Sequence, residues 1–179
     1  MVVIKMIEEI NEFIKKLRED VKYGWYDTKG ELREHIDKDL MIEYRNRSPE
    51  ETLKSGHGLC WDMTEILRDY LETKEVKFQT IFVCINNIMI RHPNHTFTIV
   101  EYNDKFYWLE YGMIARLGVH EFDTLEDLKA KIVSIFPEIA NKDIPEEYLK
   151  DIEFFAYERP KYGIKAIDFF VYAIKGNKI

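Results

Sequence analysis

The chain has 179 residues, is 46% hydrophobic and carries a formal net charge of −7. That apolar content excludes intrinsic disorder, five Pro and eight Gly exclude a fibrous or low-complexity chain, and two Cys exclude a disulfide-stapled scaffold. The acidic balance, with no Lys/Arg cluster to offset it, speaks against nucleic acid, whose phosphates need local positive charge.

The length suits one domain over 1–179: an N-terminal helical part (1–47), a core (48–112), and a helix with C-terminal strands (113–179). Met1-Val2-Val3-Ile4-Lys5 has no basic stretch ahead of a long apolar one. The longest apolar run, from Phe169 to Ile174, is far short of the ~18 residues of a membrane span. The expectation is a cytoplasmic protein with reduced thiols and no membrane partner. Nothing marks a dimer surface, and the oligomeric state stays open.

Val3, Ile7, Ile10, Ile14, Leu17 and Val21 recur at three- and four-residue steps and predict an amphipathic helix ending near Tyr23-Gly24. Residues 24–44 are mixed and aromatic, with a turn at Lys29-Gly30. Ser48-Pro49-Glu50-Glu51 is a helix start: Ser48 caps, Pro49 fits the first helical position, and Glu51 reaches back. Gly56 and Gly58 end that short helix. A second begins at Leu59-Cys60, with Leu59, Met63, Ile66, Leu67, Tyr70 and Leu71 on its apolar stripe. Residues 76–85 are β-branched and aromatic and predict a strand, followed by a loop over 86–94. Strands at 95–102 and 105–111 are joined by an Asn103-Asp104 turn. Thr124-Leu125-Glu126-Asp127 opens another helix, which Pro137 is expected to end. Residues 152–157 and 167–174 predict two more strands. Helices, then strands, then a helix, then strands make an α+β fold: an antiparallel sheet of about five strands with helices packed on it.

The sharpest local feature is Ser55-Gly56-His57-Gly58-Leu59-Cys60-Trp61-Asp62. A glycine-flanked loop delivers a cysteine to the first turn of an amphipathic helix. Free N–H groups and the helix dipole there favour negative charge, which makes a thiolate nucleophilic and supplies half of an oxyanion hole. The ordinary alternative is a small, inert core thiol.

The hairpin adds an independent argument. With a two-residue turn at Asn103-Asp104, Tyr102 faces Lys105 and Phe97 faces Glu110. His95 lies two residues before Phe97, so His95 and Glu110 are diagonal neighbours on one side of the sheet, ~7–8 Å apart at the backbone. Glu110 can then orient the His95 ring and leave its other nitrogen for a thiol. A structural histidine and a solvated carboxylate are the ordinary alternatives. What weighs against them is the conjunction of a Cys at a helix start with a His and an acid on paired strands.

Gly58-Leu59-Cys60-Trp61-Asp62, His95-Thr96-Phe97 and Trp108-Leu109-Glu110 together resemble the transglutaminase-like branch of the papain-like cysteine fold, over residues 48–112. The resemblance implies a transglutaminase-like or papain-like core with Cys60 as nucleophile, His95 as general base and acid, and Glu110 as orienting group. The third member is commonly Asp in that family, and here it is Glu. The implied activity is thiol-dependent acyl transfer or amide hydrolysis on a peptide, a protein or a small amide or ester, without a cofactor. The resemblance also asks for a second oxyanion donor, for which Trp25 or Tyr26 is the candidate; His57 and Trp61 are further candidates for substrate or oxyanion contact.

Two other readings belong to different classes. One is a catalytically silent binding domain on the same fold, since the family includes members that lost activity. The other is a zinc site from Cys60, Cys84, His92 and His95, which ranks lower because no Cys-x-x-Cys or His-Glu-x-x-His spacing is present. Cys84, among Ile81, Phe82, Val83 and Ile85, reads as a core residue, and no metal is expected.

Overall fold

In the computed structural model, which describes residues 2–74, 76–85, 93–140 and 144–179, the opening apolar stripe folds as helix α1 (Val2–Asp20). Strand β1 (Lys22–Tyr23) follows, then the small hairpin β2 (Trp25–Tyr26) and β3 (Leu32–Arg33), and a single helical turn α2 (Leu40–Glu43). Helix α3 (Pro49–Ser55) begins as its sequence predicts: Ser48 Oγ accepts the Glu51 N–H, and Glu51 accepts the Ser48 N–H at 2.9 Å. Strand β4 (His57–Gly58) pairs in parallel with β1, placing Tyr23 opposite Gly58, and leads directly into α4 (Cys60–Glu72).

The remaining elements are β5 (Lys77–Ile85), β6 (Asn94–Tyr102), β7 (Lys105–Glu110), β8 (Gly118–Phe122), α5 (Leu125–Ala140), the single turn α6 (Glu146–Leu149), β9 (Ile152–Ala156), α7 (Ala166–Ala173) and β10 (Asn177–Lys178). A six-stranded, wholly antiparallel sheet runs in the order β10-β9-β5-β6-β7-β8.

Both faces of this sheet are covered, and strand alternation decides which residue goes where. In β5, Ile81, Val83 and Ile85 point to one face, where Leu128, Ile132, Ile135 and Phe136 of α5 cover them. Phe82 and Cys84 point to the other, against Trp61 of α4 and Phe169 and Phe170 of α7. On that second face Met63, Leu67 and Leu71 of α4 also meet Val100, Leu109 and Tyr111 of the sheet, with Ile10 and Ile14 of α1. Among the described residues no helix is long and apolar enough to cross a membrane.

Three expectations are corrected. Residues 167–174 form most of helix α7 rather than a strand: Ala166, Phe169, Phe170 and Ala173 are buried at helical spacing, while Ile167, Val171 and Tyr172 face outward. The apolar run hides that period, because both its faces are hydrophobic. Pro137 lies inside α5 instead of ending it. A proline costs a helix interior roughly 3 kcal/mol, less than the combined gain from the four buried α5 side chains at roughly 1.5–3 kcal/mol each. The sheet has six strands, not about five, because the short edge strands β8 and β10 join it and residues 167–174 leave it.

The β6–β7 hairpin has the predicted register, from Tyr102 opposite Lys105 to Thr98 opposite Leu109. Asn103 and Asp104 both adopt left-handed backbone (φ 50° and 58°), the conformation of a two-residue type I′ turn.

Candidate active site

Cys60 occupies the first position of α4, so its N–H has no partner within the helix. The turn is held by Asp62, which is fully buried at the sheet-facing start of the helix. Its Oδ2 accepts the Leu59 N–H at 2.8 Å and the Tyr44 hydroxyl, and its Oδ1 accepts the Arg47 N–H at 2.9 Å. Asp62 therefore ties the Cys60 turn to two other segments by hydrogen bonds. Burial outweighs these bonds and pushes its carboxyl up to about 6. Gly58 is required by close approach: a Cβ there would come 2.8 Å from Thr52 Cγ2 and 3.1 Å from Asp62 Cβ. Below, the Thr64 hydroxyl donates to the Cys60 carbonyl at 2.7 Å and meets the hydroxyls of Tyr111 (2.6 Å) and Thr96 (3.0 Å). Thr96 and Tyr111 are the residues that follow His95 and Glu110, so one hydroxyl on α4 sets the helix against both strands.

His95 is buried near the start of β6, and its Nε2–H donates to Glu110 Oε2 at 2.9 Å. Glu110 is fully buried at the last position of β7. Its other oxygen accepts two backbone N–H groups, Gly112 at 2.7 Å and Met113 at 2.9 Å, so the carboxylate cannot turn away. With Nε2 engaged, Nδ1 is the ring nitrogen left for Cys60, whose side chain lies close to the His95 ring. Burial disfavours the imidazolium. The Glu110 charge and the hydrogen bonds to Cys60 and Glu110 outweigh it and raise the His95 pKa to about 10. The three side chains converge on Gly112: a Cβ at that residue would lie 3.0 Å from His95 Cε1, 3.4 Å from Cys60 Cβ and 3.4 Å from Glu110 Oε1.

The structure thus brings Cys60, His95 and Glu110 together, and it adds a residue that sequence reading passed over. The Tyr23 side chain packs against the cluster that holds Cys60, with its hydroxyl near the thiol. Burial, then the neighbouring Cys60 and Glu110 charges, hold that hydroxyl well above its ordinary pKa, so it keeps its proton and acts as a donor. The β1–β4 pairing puts it there, and nothing local in the sequence signals that pairing.

The other predicted contacts lie elsewhere. The Trp25 indole N–H donates to the His35 carbonyl at 3.1 Å, so that donor is engaged. Trp61 is buried, stacked on Phe169 at 4.5 Å, and belongs to the core between α4 and α7. The His57 ring donates through Nδ1 to the Ser55 carbonyl (3.1 Å) and meets Tyr26 edge-on, while Tyr26 carries the Arg47 guanidinium on its face at 4.5 Å.

No protein-family model, curated protein or solved structure matches the chain.

Cys84 is fully buried on β5, and burial with the Glu153 charge pushes its thiol up to about 12. Among the described residues no three His, Cys, Asp or Glu side chains converge as metal ligands; His92 and most of the 86–94 loop lie outside the described residues. What the arrangement supplies chemically is a thiol at a helix start, an imidazole whose second nitrogen is fixed by a carboxylate, and two donors, the Cys60 N–H and the Tyr23 hydroxyl, beside the sulfur.

Proposed function

We propose that this protein is a thiol-dependent acyltransferase or amide hydrolase of the transglutaminase-like, papain-like kind, acting on a peptide, a protein or a small amide or ester. The observation that carries the reading is His95, held between Cys60 on one side and a Glu110 carboxylate anchored by two backbone N–H groups on the other.

The chemistry follows from that arrangement. The Cys60 thiolate, beside the His95 imidazolium, attacks the carbonyl carbon and forms the carbon–sulfur bond. The carbonyl oxygen takes the electron pair, and the Cys60 N–H and the Tyr23 hydroxyl are the donors placed to stabilise it. The intermediate collapses as His95 Nδ1 gives its proton to the leaving nitrogen or oxygen, which leaves an acyl-thioester. His95, now neutral, takes a proton from water or an amine as it attacks. Its product departs, and the thiolate–imidazolium pair is restored.

The two cysteines make the test internal. Iodoacetamide should alkylate Cys60 at least about 100-fold faster than Cys84 in the native protein, because only the thiolate reacts and the Cys84 thiol is pushed far above neutrality. The substitution His95→Ala should remove most of that difference. Equal labelling of the two, or Cys60 labelling unaffected by His95→Ala, would overturn the proposal and leave a binding domain.

A further inference from the structure

Two clefts open beside β2 and α3, both lined by Tyr26, Arg47 and Glu51 and neither by Cys60, His95 or Glu110. Charge is distributed unevenly there. Each carboxylate is already engaged by a neighbouring donor. Asp27 accepts the Lys29 and Glu31 N–H groups at 2.9 Å and pairs with Arg33 at 2.8 Å. Glu51 accepts the Ser48 N–H and hydroxyl, and Glu43 accepts the Thr28 hydroxyl. The neighbouring Arg45 donates to carbonyls at the end of α2.

Arg47 differs. Among the described arginines it is the one whose guanidinium meets no carboxylate and no carbonyl: Arg18, Arg33, Arg45, Arg68, Arg116 and Arg159 each have such a partner. Its guanidinium carbon lies over the half-buried Tyr26 ring, 4.5 Å from the centroid, and its charge also reaches the Glu51 and Asp62 carboxyls without a direct ion pair. Its backbone is fixed relative to the nucleophile, because Asp62 bridges the Arg47 N–H (2.9 Å) and the N–H of Leu59 (2.8 Å), the residue before Cys60.

We infer that Arg47 and Tyr26 form a carboxylate-binding subsite, and that the preferred acyl substrate carries a carboxylate there; the second half of this inference rests on the proposed enzymatic reading. A planar guanidinium with a free fork matches a carboxylate by paired charge-assisted hydrogen bonds, and the Tyr26 ring keeps it from swinging into solvent. The carboxylate can come from an acidic side chain or from a chain terminus, and the chemistry of capture is the same.

Three probes separate these cases: acetyl-Gly-Glu-Gly-amide (side-chain carboxylate), acetyl-Gly-Gly-Gly (terminal carboxylate) and acetyl-Gly-Gln-Gly-amide (neutral). Binding is followed through the Tyr26 ring resonances of the intact protein at constant ionic strength. At least one carboxylate probe should bind about 10-fold tighter than the neutral one, with the preference shrinking as salt rises. Arg47→Met, which keeps the stem over Tyr26, should abolish the preference, and Arg47→Lys should retain only part of it. Equal binding of charged and neutral probes, or a preference that survives Arg47→Met, would overturn the subsite.

Iodoacetyl versions of the same peptides test the link to catalysis. Cys60 should be alkylated about 10-fold faster by the charged probe, and equally fast by both in Arg47→Met. A binding preference with Cys60 inert to every probe would defeat the enzymatic reading and leave the subsite standing. Rapid alkylation without charge preference, together with equal binding, would defeat the subsite and leave the enzymatic reading standing.

Discussion

The first turn of α4 and the middle of β5 each hold a buried cysteine, and both belong to the same hydrophobic cluster, with Cys60 4% and Cys84 0% exposed. Their surroundings differ in kind. Cys84 sits between Val83 and Ile85 on a strand covered on both faces, and burial together with the Glu153 charge raises its thiol to about 12. Cys60 sits where a helix start, two strand ends and β1 meet, with an imidazole and a phenol beside it. Burial alone therefore does not set the chemistry of a thiol. What sets it is whether the elements that bury it end there, since only ends present unpaired N–H groups and free polar side chains.

The largest way to break this contrast is to remove Glu110. Glu110→Ala leaves the His95 ring and the Gly112 and Met113 N–H groups without their buried acceptor. The expected loss is about 3–5 kcal/mol of stability in urea unfolding, with Cys60 alkylation falling to the rate of Cys84. Glu110→Gln separates the two effects. Its amide oxygen still serves the backbone donors, while its NH2 faces the His95 nitrogen. Stability should drop much less, and Cys60 reactivity nearly as far. If Glu110→Gln alkylates like the native protein, the carboxylate does not orient the histidine.

A subtler break comes from pH. The folded-state pKa of His95 is raised from 6.5 to about 10. A group raised in this way binds its proton more tightly in the folded state, so its stabilising contribution is complete below 6.5 and is lost as pH rises through 10. Denaturant unfolding of the native protein and of His95→Gln should therefore show a native advantage that shrinks across that window. Asp62 contributes in the same sense lower down: its carboxyl, raised from 3.8 to about 6, favours the folded state below 3.8 and loses that effect as pH rises through 6. A native-to-His95→Gln difference that stays flat through the upper window would mean that the imidazole is neutral in the folded protein.

Legibility followed locality. The capping box at Ser48, the helix start at Cys60 and the Asn103-Asp104 turn are decided within a few residues of chain, and the turn alone fixes the register that brings His95 toward Glu110. Tyr23 was not legible, because its place beside Cys60 depends on β1 pairing with β4 across the whole of residues 24–56. Trp25, two residues on, attracts attention for its indole donor, yet the local hairpin brings the His35 carbonyl to it first. Residues 167–174 misled for a different reason: composition spoke for a strand, and only the burial of Phe169, Phe170 and Ala173 reveals the helical period. The edge strand β10 has two residues, too few for alternation to register, and β8 (Gly118-Val119-His120-Glu121-Phe122) has a single buried residue, Gly118, which marks no apolar face.

The smallest change that should separate the two cysteines is at Gly112. Its backbone is outside the left-handed region, so alanine meets no backbone strain there, only its neighbours. The added methyl carbon would come 3.0 Å from His95 Cε1 and 3.4 Å from Cys60 Cβ, against both side chains at once. A contact that tight forces one ring or the helix start to give by a few tenths of an ångström. The expected cost of Gly112→Ala is about 1–2 kcal/mol in stability, at the low end for overpacking. Cys60 alkylation should nevertheless slow about 10-fold, because proton transfer between sulfur and imidazole depends steeply on their separation. Cys84 lies on a different strand and should label as before. If both cysteines keep their native rates, the methyl has been absorbed without moving the pair, and the Cys60–His95 contact is more tolerant than its crowding implies.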